Sequence, residues 1–153
     1  MEKELIGGPS GMGFAGYIKT TLNLPETDIK TYSPLTLAYI GDSIFDLIIR
    51  TSVVESGNAP VNKLHKRASL MVQATAQAEL YHLIKDQLSE EETAIYKRGR
   101  NAKSFTSAKN AGVIEYRTAT GLEALMGYLY LTDQMDRLIE LIKPQIERIV
   151  SNS

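Results

Sequence analysis

The sequence has no cysteine among its 153 residues. That excludes a disulfide framework and any thiolate metal site, and it makes a reducing cytoplasm the expected location. Histidine is scarce too, with two residues. His65 and His82 do not have zinc-motif spacing, and there is no HExxH. No stretch approaches the ~18 consecutive apolar residues of a membrane span, so no membrane partner is expected. The N-terminus, MEKELIGGPSGMGF, has neither the basic start nor the long apolar run of a signal peptide. Walker, GxGxxG and GxSxG motifs are absent, as are repeats and low-complexity segments. Charge of one sign is lacking as well: the formal net charge is −1 and the pI about 6.1. A protein whose whole surface grips nucleic acid is disfavoured, but a local basic stripe is not. What remains is an ordinary globular composition, 43% hydrophobic and 23% charged, in a length that suits one compact domain.

The pattern along the chain is helical. Residues 1–16, rich in Gly, read as a flexible N-terminal arm, and 17–150 as a single domain. The segment 16–24 fits a short helix or an extended stretch equally well. PETDI, acidic behind Pro25, fits a short helix. Ser33-Pro34 is an N-cap followed by Pro at the first helical position. The helix it opens is apolar at nearly every position to Val54, as befits the middle of a domain. Gly57-Asn58-Ala59-Pro60 ends it. A single helix over about 61–86 follows, then one opened by a capping box, Ser89 with Glu92, and running to about Arg98. Residues 99–114 look irregular. A densely apolar helix over about 116–132 precedes a last one over 133–150, which Pro144 should kink or divide. No convincing strand appears, so the expected fold is an all-α bundle.

Two carboxylates are embedded in the two most apolar helices: Asp42 in AYIGDSIFD and Glu123 in LEALMGYLYL. A lone carboxylate in such a setting is costly to bury unless it is paired, hydrogen-bonded or bound to metal. Each has a helical glycine nearby. Gly41 costs roughly 1 kcal/mol against Ala in a helix interior, which points to a close backbone approach there. Asp46 shares a face with Asp42 one turn on, and Thr120 lies three residues before Glu123. Facing carboxylates repel unless a cation or proton lies between them. Hard divalent metals take such oxygen ligands. The pattern leaves two readings open: a cation site, or solvated acids paired with Lys or Arg.

The charge distribution supplies a third feature. KRGRNAKSFTSAK, 97–109, holds Lys97, Arg98, Arg100, Lys103 and Lys109 and no acid, just after an EEE run at 90–92. Arg and Lys beside Gly, Asn101 and Ser104 can fit between phosphates. The alternative is a solvated loop. KLHKR at 63–67, with His65 and Lys66, could extend the positive surface, and His82 reads as a surface or packing residue. Few aromatics accompany these residues, so phosphate-dominated recognition of a duplex fits better than base stacking.

AYIGDSIFD resembles the signature helix of the ribonuclease III family, E-x-x-G-D with apolar flanks, and LEALMGYLYL resembles its second signature, D-x-x-E-A-L-x-G-A-x-Y-L. YKRGRNAKS and LHK are similar to hallmarks of the family's short Mini-III branch, which lacks a double-stranded-RNA-binding domain. The resemblance covers about residues 33–145. It implies a ribonuclease III endonuclease-domain-like helical bundle that cleaves double-stranded RNA with Mg²⁺, or with Mn²⁺ in its place. Asp42 and Glu123 are then catalytic metal ligands, and Asp46 and Thr120 lie around them. Lys97, Arg98, Arg100, Asn101, Lys103 and Ser104 bind RNA, with His65 and Lys66 in a lesser role. A homodimer is implied, acting on the precursor of the large-subunit (23S) ribosomal RNA, with a ribosomal protein or RNA structure presenting the substrate. Two family acids are replaced, by Ala38 and Thr120. They motivate the rival expectation, a non-catalytic double-stranded-RNA-binding helical module with a degenerate metal site.

Overall fold

The computed structural model describes residues 13–102 and 112–151. The described residues form α1 (Phe14–Thr21), α2 (Pro34–Glu55), α3 (Val61–Val72), α4 (Ala74–Ile84), α5 (Glu90–Arg100), α6 (Val113–Leu131) and α7 (Met135–Ser151). Short 3-10 turns lie at Ile29–Thr31 and Lys85–Gln87, and no strand occurs among the described residues. The fold is all-α, as the pattern predicts.

Local chemistry starts the long helices. The Ser33 hydroxyl accepts the Thr36 N–H at 3.1 Å ahead of Pro34. Ser89 and Glu92 close a reciprocal capping box, with Ser89 Oγ accepting from Glu92 N at 3.1 Å and Glu92 Oε1 accepting from Ser89 N at 2.9 Å. Both caps satisfy N–H groups that a helix start leaves without partners.

Helix α6 is the hub. Eleven of its nineteen residues are buried, and it packs against α2, α4, α5 and α7. Glycines set how close two of these neighbours come. A Cβ on Gly127 would fall on the Leu37 carbonyl of α2, and one on Gly41 on the Glu123 carbonyl of α6. On the α5 side, the Tyr96 ring lies against Gly121, and Gly99 sits over Ala124. Tyr96 also stacks on Tyr81 of α4 at 3.9 Å. These crossings bring backbones into contact, which only residues without Cβ permit.

A buried ion pair ties α5 to α7. Arg137 donates to both carboxylate oxygens of Glu92 at 2.9 Å, and to the Gln87 carbonyl at 2.8 Å. The Arg137 hydrogen bonds hold the Glu92 carboxyl below the usual carboxylate range.

Several boundaries differ from the pattern. The single helix expected over 61–86 is two. Gln73 is extended, with ψ 154°, and frees the last carbonyls of α3. Side-chain amides replace the lost helical donors: Gln145 reaches Met71 O at 3.3 Å and Gln77 reaches Val72 O at 3.0 Å. Pro144 does not divide α7, which is continuous. The N–H it lacks would have faced Glu140, an exposed residue, whose carbonyl water can satisfy. PETDI gives no α-helix; its Asp28 caps a short 3-10 helix that starts at Ile29, accepting from Lys30 N at 3.0 Å. Of the arm over 1–16, residues 1–12 lie outside the described residues. Phe14, Ala15 and Gly16 begin α1, held by a hydrogen bond from Gly16 N to Asp133 Oδ1 at 3.2 Å. Of the irregular stretch 99–114, Gly99 and Arg100 finish α5 and α6 starts at Val113.

Two outcomes follow for stability. Gly127→Ala should destabilise by about 3 kcal/mol, the upper end for overpacking, because the obstacle is backbone; urea unfolding reads this. Breaking the Glu92–Arg137 pair with Arg137→Met should cost about 3 kcal/mol near neutral pH, since it leaves a buried charge alone. Glu92 has a lowered pKa in the folded state. Its contribution is therefore complete above the unfolded carboxylate value and lost as pH falls through the lower folded value. The gap between wild type and Arg137→Met should narrow in melts taken below about pH 4.5, the ordinary value for this carboxyl.

Candidate functional site

The glycine crossing of α2 and α6 decides where the two embedded acids go. Gly41 abuts the backbone of Glu123 itself, and Asp42 is the next residue of α2. The two carboxyl groups come within hydrogen-bonding reach of each other. Asp42 is exposed and Glu123 half-buried, so the pair opens to solvent on Asp42's side. No salt bridge among the described residues reaches either acid.

Burial, above all, pushes the Glu123 carboxyl up to about 7, and the negative charge of Asp42 adds to it. A hydrogen bond from Gln77 opposes the shift. Gln77 Nε2 donates to Glu123 Oε2 at 3.1 Å and to the Val72 carbonyl at 3.0 Å. The side chain is 2% exposed, and its Oε1 has no partner. An unsatisfied buried acceptor of this kind costs about 1–3 kcal/mol.

The donor set fits a hard divalent cation. Two carboxylates face each other, with a buried amide behind one of them. Mg²⁺ commonly binds through one or two carboxylates and keeps several waters. The set is sparse: no group of three or more Asp, Glu, His or Cys side chains suited to a metal occurs among the described residues. Ala38, one turn before Asp42, is buried in the core. Thr120 donates its hydroxyl to the Tyr116 carbonyl at 3.0 Å, within its own helix. Asp46 is engaged by Arg50, 2.9 Å away and one turn on.

The basic residues lie at the C-terminal end of α5. Lys97, Arg98 and Arg100 occupy its last turn and Asn101 caps it. Glu90, Glu91 and Glu92 occupy the first turn, so the charge segregation matches the helix dipole. Lys97 and Arg98 are exposed. Arg98 donates to the Tyr32 carbonyl at 3.3 Å, and Arg100 to Asn101 Oδ1 at 3.3 Å while lying over the Tyr96 ring. Gly99 sits against Gly121, Thr120 and Ala124, which places this basic turn beside the stretch of α6 that carries Glu123. Lys103, Ser104 and Lys109 lie outside the described residues. His65 and Lys66 are exposed on α3, with His65 Nε2 3.4 Å from Ser69 Oγ.

The sequence pattern did not single out Gln77. It sits in ATAQAEL among small and apolar residues, and its partners are a carbonyl five residues back and an acid 46 residues on. A polar residue between the buried Ala76, Ala78 and Leu80 of α4 was the one signal present.

Known proteins share this arrangement of chain. The Ribonuclease III domain family matches residues 35–134. Mini-ribonuclease 3 of Thermoanaerobacter sp. (strain X514) is 46% identical over 149 residues, covering 97% of this chain and 99% of that protein. Mini-ribonuclease 3 of Enterococcus faecalis (strain ATCC 700802 / V583) is 51% identical over 124 residues, or 80% of this chain and 94% of that protein. A crystal structure of a protein from Fusobacterium nucleatum superimposes with a TM-score of 0.73 at 34% identity, covering 80% of this chain and 99% of that one. The chain belongs to the ribonuclease III family of endoribonucleases, in its Mini-ribonuclease 3 group.

The carboxylate pair predicts a stability signature of its own. Glu123 holds its proton to about pH 7 in the fold against 4.5 ordinarily, so the ionised pair opposes folding above pH 7 and the penalty fades as pH falls toward 4.5. In the presence of a chelator, Glu123→Gln should melt higher than wild type at pH 8, by the equivalent of about 1–3 kcal/mol. The advantage should shrink at pH 5.5.

Proposed function

We propose that this endoribonuclease hydrolyses double-stranded RNA with Mg²⁺, Mn²⁺ being able to substitute, and that Asp42 and Glu123 hold the ion. The observation that carries this reading is the placement of the two acids across the α2–α6 crossing, without a Lys or Arg partner among the described residues. Opposed carboxylates in a half-buried setting are stable together only with a cation or proton between them. When bound, a divalent ion supplies Lewis acidity at the phosphate and a water of lowered pKa.

The protein's own groups supply position. Asp42, on the exposed edge of the pair, meets the incoming strand. Lys97, Arg98 and Arg100 can neutralise phosphates flanking the cleaved bond, and Asn101 can donate to a phosphate oxygen. We extend this role to Lys103 and Ser104, which continue the basic run, and in a lesser part to His65 and Lys66 on α3. Asp46 and Thr120 remain near neighbours of the acids along their helices. Recognition of this kind follows the A-form backbone and needs no base readout.

The substrate we propose is the precursor of the large-subunit (23S) ribosomal RNA, in the cytoplasm, on the strength of the resemblance to the Mini-III branch. A ribosomal protein or the RNA's own structure would present it. The active form we propose is a homodimer. Tyr39 is 80% exposed and Leu35 37% exposed on α2. They share the solvent-facing stripe of Asp42, so a second copy covering them would border both sites. The unit we propose is one catalytic domain over 17–150, with residues 1–16 as an arm outside it.

The test is cleavage. Wild type with Mg²⁺ should cut duplex RNA and trim the ribosomal precursor at defined ends, while Asp42→Asn should lose about a hundred- to a thousandfold, the order of effect expected when charge stabilisation in the transition state is removed. The rival reading is a non-catalytic double-stranded-RNA-binding module with a degenerate metal site; equal, negligible turnover by wild type and Asp42→Asn would contradict the enzyme reading and leave that one. Binding is tested separately. Arg98→Ala with Arg100→Ala should weaken RNA affinity and flatten its dependence on salt, by about one unit of log–log slope for each phosphate no longer neutralised.

A further inference from the structure

We infer that Gln77 is a positioning residue for Glu123, holding one carboxylate oxygen so that the other is presented to a divalent cation. The inference rests on the metal-site reading above and extends it to a residue outside both signature helices.

The geometry fixes the role. A carbonyl oxygen can only accept, so the group that Gln77 turns toward Val72 O must be its NH₂. The same nitrogen then has its second hydrogen for Glu123 Oε2. The amide orientation is thus set by the backbone, and Glu123 receives a donor whatever its own state. With Oε2 engaged, the Glu123 carboxylate cannot rotate freely, and its other oxygen is the one left for a cation.

The anchor is rigid. Gln77 is 2% exposed, in the first turns of α4. Val72 is the last residue of α3, and its carbonyl is free because Gln73 is extended. Gln145, fully buried, holds the other side of the same break through Met71 O and Ala76 O. The break between α3 and α4 therefore aims a donor at α6. Had the helix continued, Val72 O would have taken a backbone N–H and Gln77 would lack its second tether. Gln77 Oε1 is the one buried side-chain nitrogen or oxygen without a hydrogen-bond partner among the described residues. Groups behind a metal ligand orient it, and their removal typically lowers metal affinity about 10–100-fold.

The test is Mn²⁺ binding by calorimetry, with no RNA and no turnover, on wild type, Gln77→Met, Gln77→Asn and Glu123→Gln. Met keeps the volume without a donor. Asn keeps the amide one methylene short of Glu123, and serves if Gln77→Met does not fold. The expected result is measurable binding by wild type, about tenfold or more weaker binding by each folded Gln77 variant, and none by Glu123→Gln. Melts in chelator should show that the loss of affinity does not track any loss of stability. Wild-type affinity retained in a folded Gln77 variant would overturn the positioning role alone. Binding that is absent from wild type, or unchanged in Glu123→Gln, would overturn the metal-site reading and this inference with it.

Discussion

The tightest helix crossing among the described residues is that of α2 and α6, where Gly41 meets the backbone of Glu123 and Gly127 meets that of Leu37. Two glycines four residues or fewer from the acids let the helix axes close up. A methyl group at either position would push the helices apart. That crossing is a packing solution, but it has a chemical consequence. Side chains next to it have nowhere to diverge, so Asp42 and Glu123 are held face to face. The central helix repeats the device on its other side, where Gly121 receives Tyr96 and Gly99 lies over Ala124. One hub helix thereby brings its Glu123 to Asp42 on the α2 side and packs against the basic end of α5 on the other.

This arrangement works against the stability of the fold. Burial and a like charge raise the Glu123 carboxyl to about 7, and Gln77 keeps an unpaired acceptor beside it. Such local conflicts tend to sit at functional sites, where an external group resolves them. Elsewhere the buried polar groups are well served. Glu92 and Arg137 satisfy each other in a forked pair, and Gln145 spends both ends of its amide on partners. The contrast separates an ion pair that holds helices together from a carboxylate pair with no Lys or Arg partner among the described residues.

The parts of the fold that local chemistry controls were legible in the sequence. Ser33-Pro34 and Ser89 with Glu92 announced helix starts that the structure places at those residues. Gly41 beside Asp42 pointed to a close backbone approach, and the approach is there. The break at Gln73 was not legible, because no Gly or Pro marks it. Its hydrogen bonds come from Gln77 and from Gln145, the latter 74 residues from Met71. Pro144 does not divide α7, since the bond it removes lies on a solvated side of that helix. Asp46 reads as a neighbour of Asp42 on one helix face, yet Arg50 stands on that face too and takes its carboxylate. The acids could be picked out as unusual from their surroundings, but their meeting depends on the glycine crossing, which no single segment encodes.

We propose that the α2–α6 crossing builds one divalent-cation site from Asp42 and Glu123. Anomalous diffraction from crystals soaked in Mn²⁺ tests it most directly. The account predicts a peak between the Asp42 and Glu123 carboxylates, within about 2.0–2.6 Å of an oxygen of each, the range for hard divalent ions, and its loss in Glu123→Gln crystals. Peaks only elsewhere on the protein, with the carboxylate pair bare at saturating Mn²⁺, would contradict it.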